Sequence, residues 1–242
     1  MRIELRLAEA EPYGWVDLPF AHPARLTLLG AGDMRSLATR CAALRTMGLD
    51  PTNVCMVDQT HSRIVRCADD LLARGSTAAA DSRTRGDGIV SGPRGPTLAV
   101  GIADCMPILL ADERTGAYGI VHSGWRGTGI LGDAADAMAR RYGSRPADLL
   151  ALCGPCISGD SYAVDEARAL EYSKWGADAV VRRGDQAYLD MRAANVAIAR
   201  NLGIVAVVVD HCTFRTPQLG SFRREGAGYH GMLALVGPAP TR

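Results

Sequence analysis

Two apolar runs in this chain end in side chains able to do chemistry. Thr97-Leu-Ala-Val-Gly-Ile-Ala-Asp104-Cys105 delivers a thiol, and Gly119-Ile-Val-His122 delivers an imidazole into the turn Ser123-Gly124-Trp125-Arg126-Gly127. Soft thiolate and imidazole donors at neighbouring strand ends suit a zinc ion. His61, in Gln59-Thr60-His61, likewise follows an apolar stretch and sits in a polar turn. His61, Cys105 and His122 therefore make a candidate His₂Cys set. Three protein ligands with a fourth position open is the catalytic rather than the structural pattern for zinc. The three lie far apart in the chain, so spacing alone does not select them. Cys41, Cys55, Cys67, His22 and His211 read as ordinary packing residues.

The loudest short motif points elsewhere. Cys153-Gly154-Pro155-Cys156 has the form of a redox dithiol, which works when it opens a helix whose N-terminus lowers the thiol pKa. Here Ile157-Ser158-Gly159 follows, and glycine in a first turn opposes that helix. The zinc deaminase signature is absent: no histidine has glutamate two positions on, and Leu152 stands where its proline belongs. The chain also lacks a Gly-x-Gly-x-x-Gly fingerprint, a Walker loop and a Gly-x-Ser-x-Gly elbow.

The elements that must hold these residues are short. Of 242 residues, 48% are hydrophobic and 22% charged, the balance of a soluble globular protein with room for a large core. A net charge of +1 and 5% aromatics give no footprint for nucleic acid or an anionic membrane. No apolar run reaches membrane-spanning length, and seven irregularly spaced cysteines do not form a secreted disulfide framework, so a reducing cytoplasm is expected. Residues 1–30 read as short strand-like pieces. A helix capped by Asp33 is expected to run to Met47, with Leu37, Cys41, Leu44 and Met47 on one face and Gly48 as its stop. Strands are expected at Asn53–Asp58 and Arg63–Cys67, then a loop or short helix over 69–86. Further strands follow at Gly88–Ser91, Thr97–Ile102, Ile108–Ala111, Ala117–His122, Leu149–Leu152, Ile204–Val209 and Met232–Val236. Helices are expected at Leu131–Tyr142, Asp165–Trp175 and Met191–Leu202. The β-branched run Ile204–Val209 reads as buried on both faces. The expectation is an α+β fold, one domain over 1–242, of mixed sheets layered with helices.

Taken in order, the motifs resemble the laccase-domain or "polyphenol oxidase" family, bacterial zinc proteins whose members are described as purine nucleoside phosphorylases. The likeness rests on Gln59-Thr60-His61, Asp87-Gly88-Ile-Val, Ala103-Asp104-Cys105-Met106-Pro107, His122-Ser-Gly124-Trp125-Arg126-Gly127, and Gly154-Pro155-Cys156-Ile157 with Tyr162-Ala-Val164. It continues through Asp190-x-Arg192-Ala-Ala-Asn195 and Ser221-Phe222-Arg223-Arg224. It implies His61, Cys105 and His122 as zinc ligands, with copper less favoured because five histidines are too few for a multicopper cluster. It also implies phosphorolysis of adenosine, inosine or methylthioadenosine, with adenosine deamination at the same site. The partners would then be a small purine nucleoside and phosphate. Cys153 and Cys156 become a variant of the family's Gly-Pro-x-Ile turn.

For phosphate, cationic fork donors are needed, and Arg126, Arg223 and Arg224 are the candidates. Asp104 and Asp87 are candidates for a base or for support behind the ligands. Asp104 reaches the site only if the strand stops before Cys105, because neighbours on a strand face opposite ways. Two segments depart from the family. Arg25-Leu-Thr-Leu-Leu-Gly-Ala-Gly-Asp33 replaces the longer Arg-x-Gly-Gly-x-Ser and Ser-Leu-Asn-Leu region, and Gly228-Tyr229-His230 stands where Thr-Gly-Arg is usual. Both touch substrate choice rather than the metal ligands. The rival readings are a copper polyphenol oxidoreductase, or a zinc protein without catalysis whose fourth ligand is Cys153, Cys156 or Cys212.

Overall fold

The computed structural model describes residues 1–80 and 84–239. Its strands begin with β1 (Arg2–Ile3), β2 (Trp15–Asp17), β3 (Ala24–Thr27), β4 (Val54–Cys55) and β5 (Val65–Cys67). Next come β6 (Gly88–Ser91), β7 (Thr97–Ile102), β8 (Met106–Asp112), β9 (Tyr118–Ser123) and β10 (Leu149–Cys153). The remainder are β11 (Ala163–Val164), β12 (Val180–Arg183), β13 (Gln186–Leu189), β14 (Val205–Val209) and β15 (Met232–Val236). The helices are α1 (Leu7–Ala10), α2 (Leu37–Thr46), α3 (Ala68–Ala73), α4 (Ile130–Tyr142), α5 (Glu166–Tyr172), α6 (Met191–Leu202) and α7 (Phe222–Glu225). They build a seven-stranded mixed sheet (β1-β14-β10-β8-β9-β6-β5), a five-stranded sheet (β2-β3-β15-β7-β4) and a small three-stranded one (β11-β13-β12).

Side-chain alternation stacks these elements into layers. On β8, Ile108 and Leu110 pack with Ile130, Leu131, Ala134 and Met138 of α4. Leu109 points the other way, into a core shared with Leu98, Val100 and Ile102 of β7. A strand covered on both faces needs apolar residues at both parities, so β8 reads as an unbroken apolar run. β15 does the same job in the other sheet. Met232, Ala234 and Val236 face the seven-stranded sheet, while Leu233 and Leu235 pack beside Leu44 and Met47 at α2. The order is thus α4 and α6, the seven-stranded sheet, the five-stranded sheet, and α2. Each fully buried leucine or isoleucine in these interfaces contributes roughly 1.5–3 kcal/mol. The α+β class expected from the sequence is the one observed.

Several expected elements have the expected bounds: Gly88–Ser91, Thr97–Ile102, Met191–Leu202 and Met232–Val236. Others differ for local reasons. The second helix starts at Leu37 because Ser36, not Asp33, accepts from the Thr39 amide as its cap. Asp33 instead accepts from the Arg35 and Gly231 amides, tying a turn to the chain's far end. On that helix Arg40 and Leu44 are buried, and Leu37 is exposed. The run Ile204–Val209 is not enclosed throughout: Ile204, Val208 and Val209 are buried but Val205 is 60% exposed, and the neighbouring β1 pairs only at Val208 and Val209. Within 69–86, α3 supplies the short helix, and 81–83 lie outside the described residues. Among the described residues no helix is long and apolar enough to cross a membrane.

Candidate metal centre and its cavity

At one end of the layered sheets, β7 and β9 finish and β8 and β15 begin. β7 stops at Ile102 and β8 starts at Met106, so Asp104 and Cys105 sit in the turn between them. His122 lies near the end of β9, paired across the ladder with Pro107. One antiparallel ladder therefore delivers both Cys105 and His122. His61 comes from a separate turn between β4 and β5, and two contacts bring it in. The Gln59 amide grips Gly101 of β7 as a strand neighbour would, donating to its carbonyl at 2.8 Å and accepting from its N–H at 2.6 Å. Asp87 then takes the Thr60, His61 and Ser62 amides at 3.1, 3.0 and 2.7 Å.

Asp87 is wholly buried and also accepts from Ser62 Oγ at 2.7 Å and pairs with His122 Nδ1 at 2.9 Å. Burial alone would raise its pKa, but the hydrogen bonds to His122 and Ser62 outweigh it and hold the carboxyl below its usual range. The Nδ1 contact leaves His122 Nε2 as the free ring nitrogen. One carboxylate thus shapes the His61 turn and orients the His122 ring. His61 and Asp104 are the non-glycine residues with positive φ among those described, at 57° and 81°. Such conformations cost on the order of 1 kcal/mol each and persist where the surroundings impose them.

The ligand atoms of His61, Cys105 and His122 all lie within 4.8 Å of one another, and among the described residues no other His, Cys, Asp or Glu joins them. The two imidazoles meet edge-on, with centroids 4.9 Å apart. Burial pushes the Cys105 thiol up, yet the two histidines outweigh it and bring the pKa down to about 6. His122 is lowered by burial and raised by Cys105 and Asp87, ending near 9. A thiol already biased toward thiolate beside two imidazoles is the donor set of a soft-to-borderline divalent metal. Gly124 leaves space for it: a Cβ there would sit 2.9 Å from Cys105 Sγ and 3.0 Å from His61 Cδ2. The residues fit a metal, with the group completed by three protein donors.

The triad opens into a cavity of about 650 Å³. Arg126 lines it, resting 5.0 Å from the Trp125 ring centroid, as does Arg223. Arg223 donates to the Ala163 carbonyl at 3.0 Å and covers Tyr162 at 5.2 Å. Asp104 also lines the cavity, as the break before Cys105 allows, but both its oxygens are engaged. They accept from Thr213 Oγ1 and from the Arg223 amide, each at 2.6 Å. Asp87 lies behind His122 and outside the cavity lining, bonded to the His122 ring and the His61 turn. Arg224 corrects the sequence expectation: it points away, and its guanidinium donates to the carbonyls of Thr213, Phe214, Thr216 and Leu219. Cys153 and Cys156 are buried in apolar surroundings that push both thiols up to about 12, and no helix follows them. Cys212 accepts from the Ser158 amide and hydroxyl. None of the three stands as a fourth ligand.

Residues the sequence did not single out complete the walls. Arg168 of α5 reaches the same Trp125 ring at 4.7 Å. Met34, Arg35 and Tyr229 come from the two divergent segments or their borders. Arg35 covers the Tyr229 ring at 4.1 Å, and Phe222, 55% exposed, meets Tyr229 edge-on at 5.4 Å.

The chain is 34% identical over 154 residues to a purine nucleoside phosphorylase of Deinococcus radiodurans, covering 63% of this chain and 61% of that protein. It is 35% identical over 185 residues to a purine nucleoside phosphorylase of Corynebacterium glutamicum, covering 74% and 72%. Adenosine deaminase RL5, from an unknown prokaryotic organism, is 29% identical over 195 residues, covering 76% and 74%. The crystal structure of YlmD from Geobacillus stearothermophilus shares the fold, with a TM-score of 0.82 at 23% identity over 94% of this chain and 97% of that one. The family model for multi-copper polyphenol oxidoreductase laccase runs over residues 31–237, taking in His61, Cys105, His122 and every ordered motif, and the chain belongs to that family.

Proposed function

We propose that this protein is a zinc-dependent purine nucleoside phosphorylase. The observation that carries the reading is a His₂Cys triad opening into a 650 Å³ cavity whose walls bring arginines and aromatic rings together. That volume is in the range of nucleoside-sized ligands. Relatives named purine nucleoside phosphorylase support the substrate class, and a single group of three donors, too few for several copper ions, supports zinc over a multicopper cluster.

Phosphorolysis joins a phosphate oxygen to the ribose C1′ while the glycosidic bond breaks and its electron pair leaves with the base. The chain's residues must gather the anion, exclude water and hold the ligands still. Arg126 meets the first need with a planar fork of N–H donors. Asp87 meets the last, keeping His122 Nε2 turned toward Cys105 and the His61 turn closed. A bound zinc would add a Lewis acid, with net charge +1 after one thiolate and two neutral imidazoles.

Incubation of the zinc-loaded protein with adenosine or inosine and phosphate, read by chromatography, tests this. Adenine or hypoxanthine with ribose 1-phosphate is expected. Inosine from adenosine would mark deamination, the activity named for the RL5 relative. No product, where the Deinococcus protein converts the same substrate, overturns the reading.

A further inference from the structure

Among the described residues, five arginines line the cavity, against a single acidic side chain, Asp104. Both Asp104 oxygens accept from Thr213 Oγ1 and the Arg223 amide, so these bonds do not tie up an arginine side chain. Most of these arginines have work elsewhere. Arg35 is gripped by Asp33 at 2.9 Å, and Arg223 donates to a backbone carbonyl. Arg126 and Arg168 differ. Both hold their guanidinium carbons over the Trp125 ring, 5.0 and 4.7 Å from its centroid. Arg126 makes no hydrogen bond or ion pair with the described residues. Arg168 has only a 3.8 Å contact with the exposed Asp165, which also caps its helix through the Arg168 amide.

Cation–π contact uses the face of a guanidinium and leaves its in-plane N–H donors unengaged. Two guanidinium forks held on one indole, Arg126 without a polar partner among the described residues and Arg168 with only the 3.8 Å contact to Asp165, can present N–H donors to a tetrahedral oxyanion. Their distance from the triad is also fixed. Gly127 follows Arg126 directly, and a Cβ there would lie 2.8 Å from the Ser62 carbonyl. The Trp125–Arg126 turn is thus seated against the turn that carries His61.

We propose that Arg126 and Arg168, stacked on Trp125, form the seat for inorganic phosphate in the cavity. The assignment adds Arg168 to the machinery and rests on the phosphorolysis reading for its role. Its test has an arm that needs no turnover. Titration of inorganic phosphate into the wild-type protein should change tryptophan emission. The midpoint should move up about tenfold in Arg168→Gln, less in Arg168→Lys, and the signal should vanish in Trp125→Phe. In turnover, Arg168→Gln should raise the KM for phosphate, and for arsenate as a substitute, about tenfold with the nucleoside KM little changed.

If wild-type protein turns over nucleoside and Arg168→Gln keeps the same phosphate KM and midpoint, the seat is overturned while the functional reading stands. If nothing turns over but phosphate binding depends on Arg168, the seat stands and the functional reading falls. Adenosine 5′-monophosphate saturating the same signal about tenfold below inorganic phosphate would assign the seat to a nucleotide's own phosphate, and overturn the proposal.

Discussion

Cys105 and Cys153 stand one strand apart at the same end of the seven-stranded sheet. Cys105 immediately precedes β8, and Cys153 closes β10 opposite Ile108 of that same strand. Burial raises the pKa of both thiols. At Cys105 two imidazoles reverse the effect and the thiol falls to about 6; at Cys153 nothing does, and it reaches about 12. Arg192 draws both Cys153 and Cys156 down, yet burial prevails and Cys156 also reaches about 12. Burial in an apolar wall favours the thiol form of a motif that looks reactive on paper, whereas the imidazoles beside Cys105 favour the thiolate a metal would need.

Removing Cys105 should break the contrast most visibly. Cys105→Ala should weaken zinc binding on the order of 10³-fold, while Cys153→Ala keeps full metal content by elemental analysis. Equal loss in both variants would erase the distinction. Asp87→Asn comes next: the residue touches no metal, but its loss frees the His122 ring and should cost about 10–100-fold in a chelator competition. Thiol chemistry sharpens the comparison further. In metal-stripped protein, alkylation of Cys105, followed by peptide mapping, should slow about tenfold as the pH falls from above its pKa to one unit below it. Cys153 and Cys156 should stay unmodified until the protein is unfolded, and zinc should protect Cys105. The smallest effect is expected for Cys153→Ala on stability, a loss of about 1–2 kcal/mol from a small buried gap, read by urea unfolding with the metal retained.

How much of this was legible in the sequence depended on distance. β7, β8 and α6 were readable because their periodicity or unbroken apolar character is local, and α6 is closed by Asp190 and Gly203. The ligands were readable as polar residues ending apolar runs. The hairpin of β12 and β13 was missed although Gly184-Asp185 forms its two-residue loop, with Gly184 at positive φ. Arg224 was wrongly grouped with Arg223 because successive residues on a helical turn point about 100° apart, and only one of them meets the cavity. Arg168 gave no local signal at all. Its approach to Trp125 exists only once α5 packs beside the β9 turn.

β15 carries a consequence for how the molecule is made. It lies at the centre of the five-stranded sheet, between β3 and β7, yet follows both by more than a hundred residues. During synthesis β3 and β7 must wait with open edges until β15 emerges to join them. Gly231, just before β15, exchanges hydrogen bonds with Met34 and Asp33, so the cavity wall waits as well. The His61, Cys105 and His122 donors are all made earlier. All three donors of the candidate metal site are thus synthesised well before the strand that completes the cavity wall, so the donor set and the enclosure around it are separate stages of the chain's assembly.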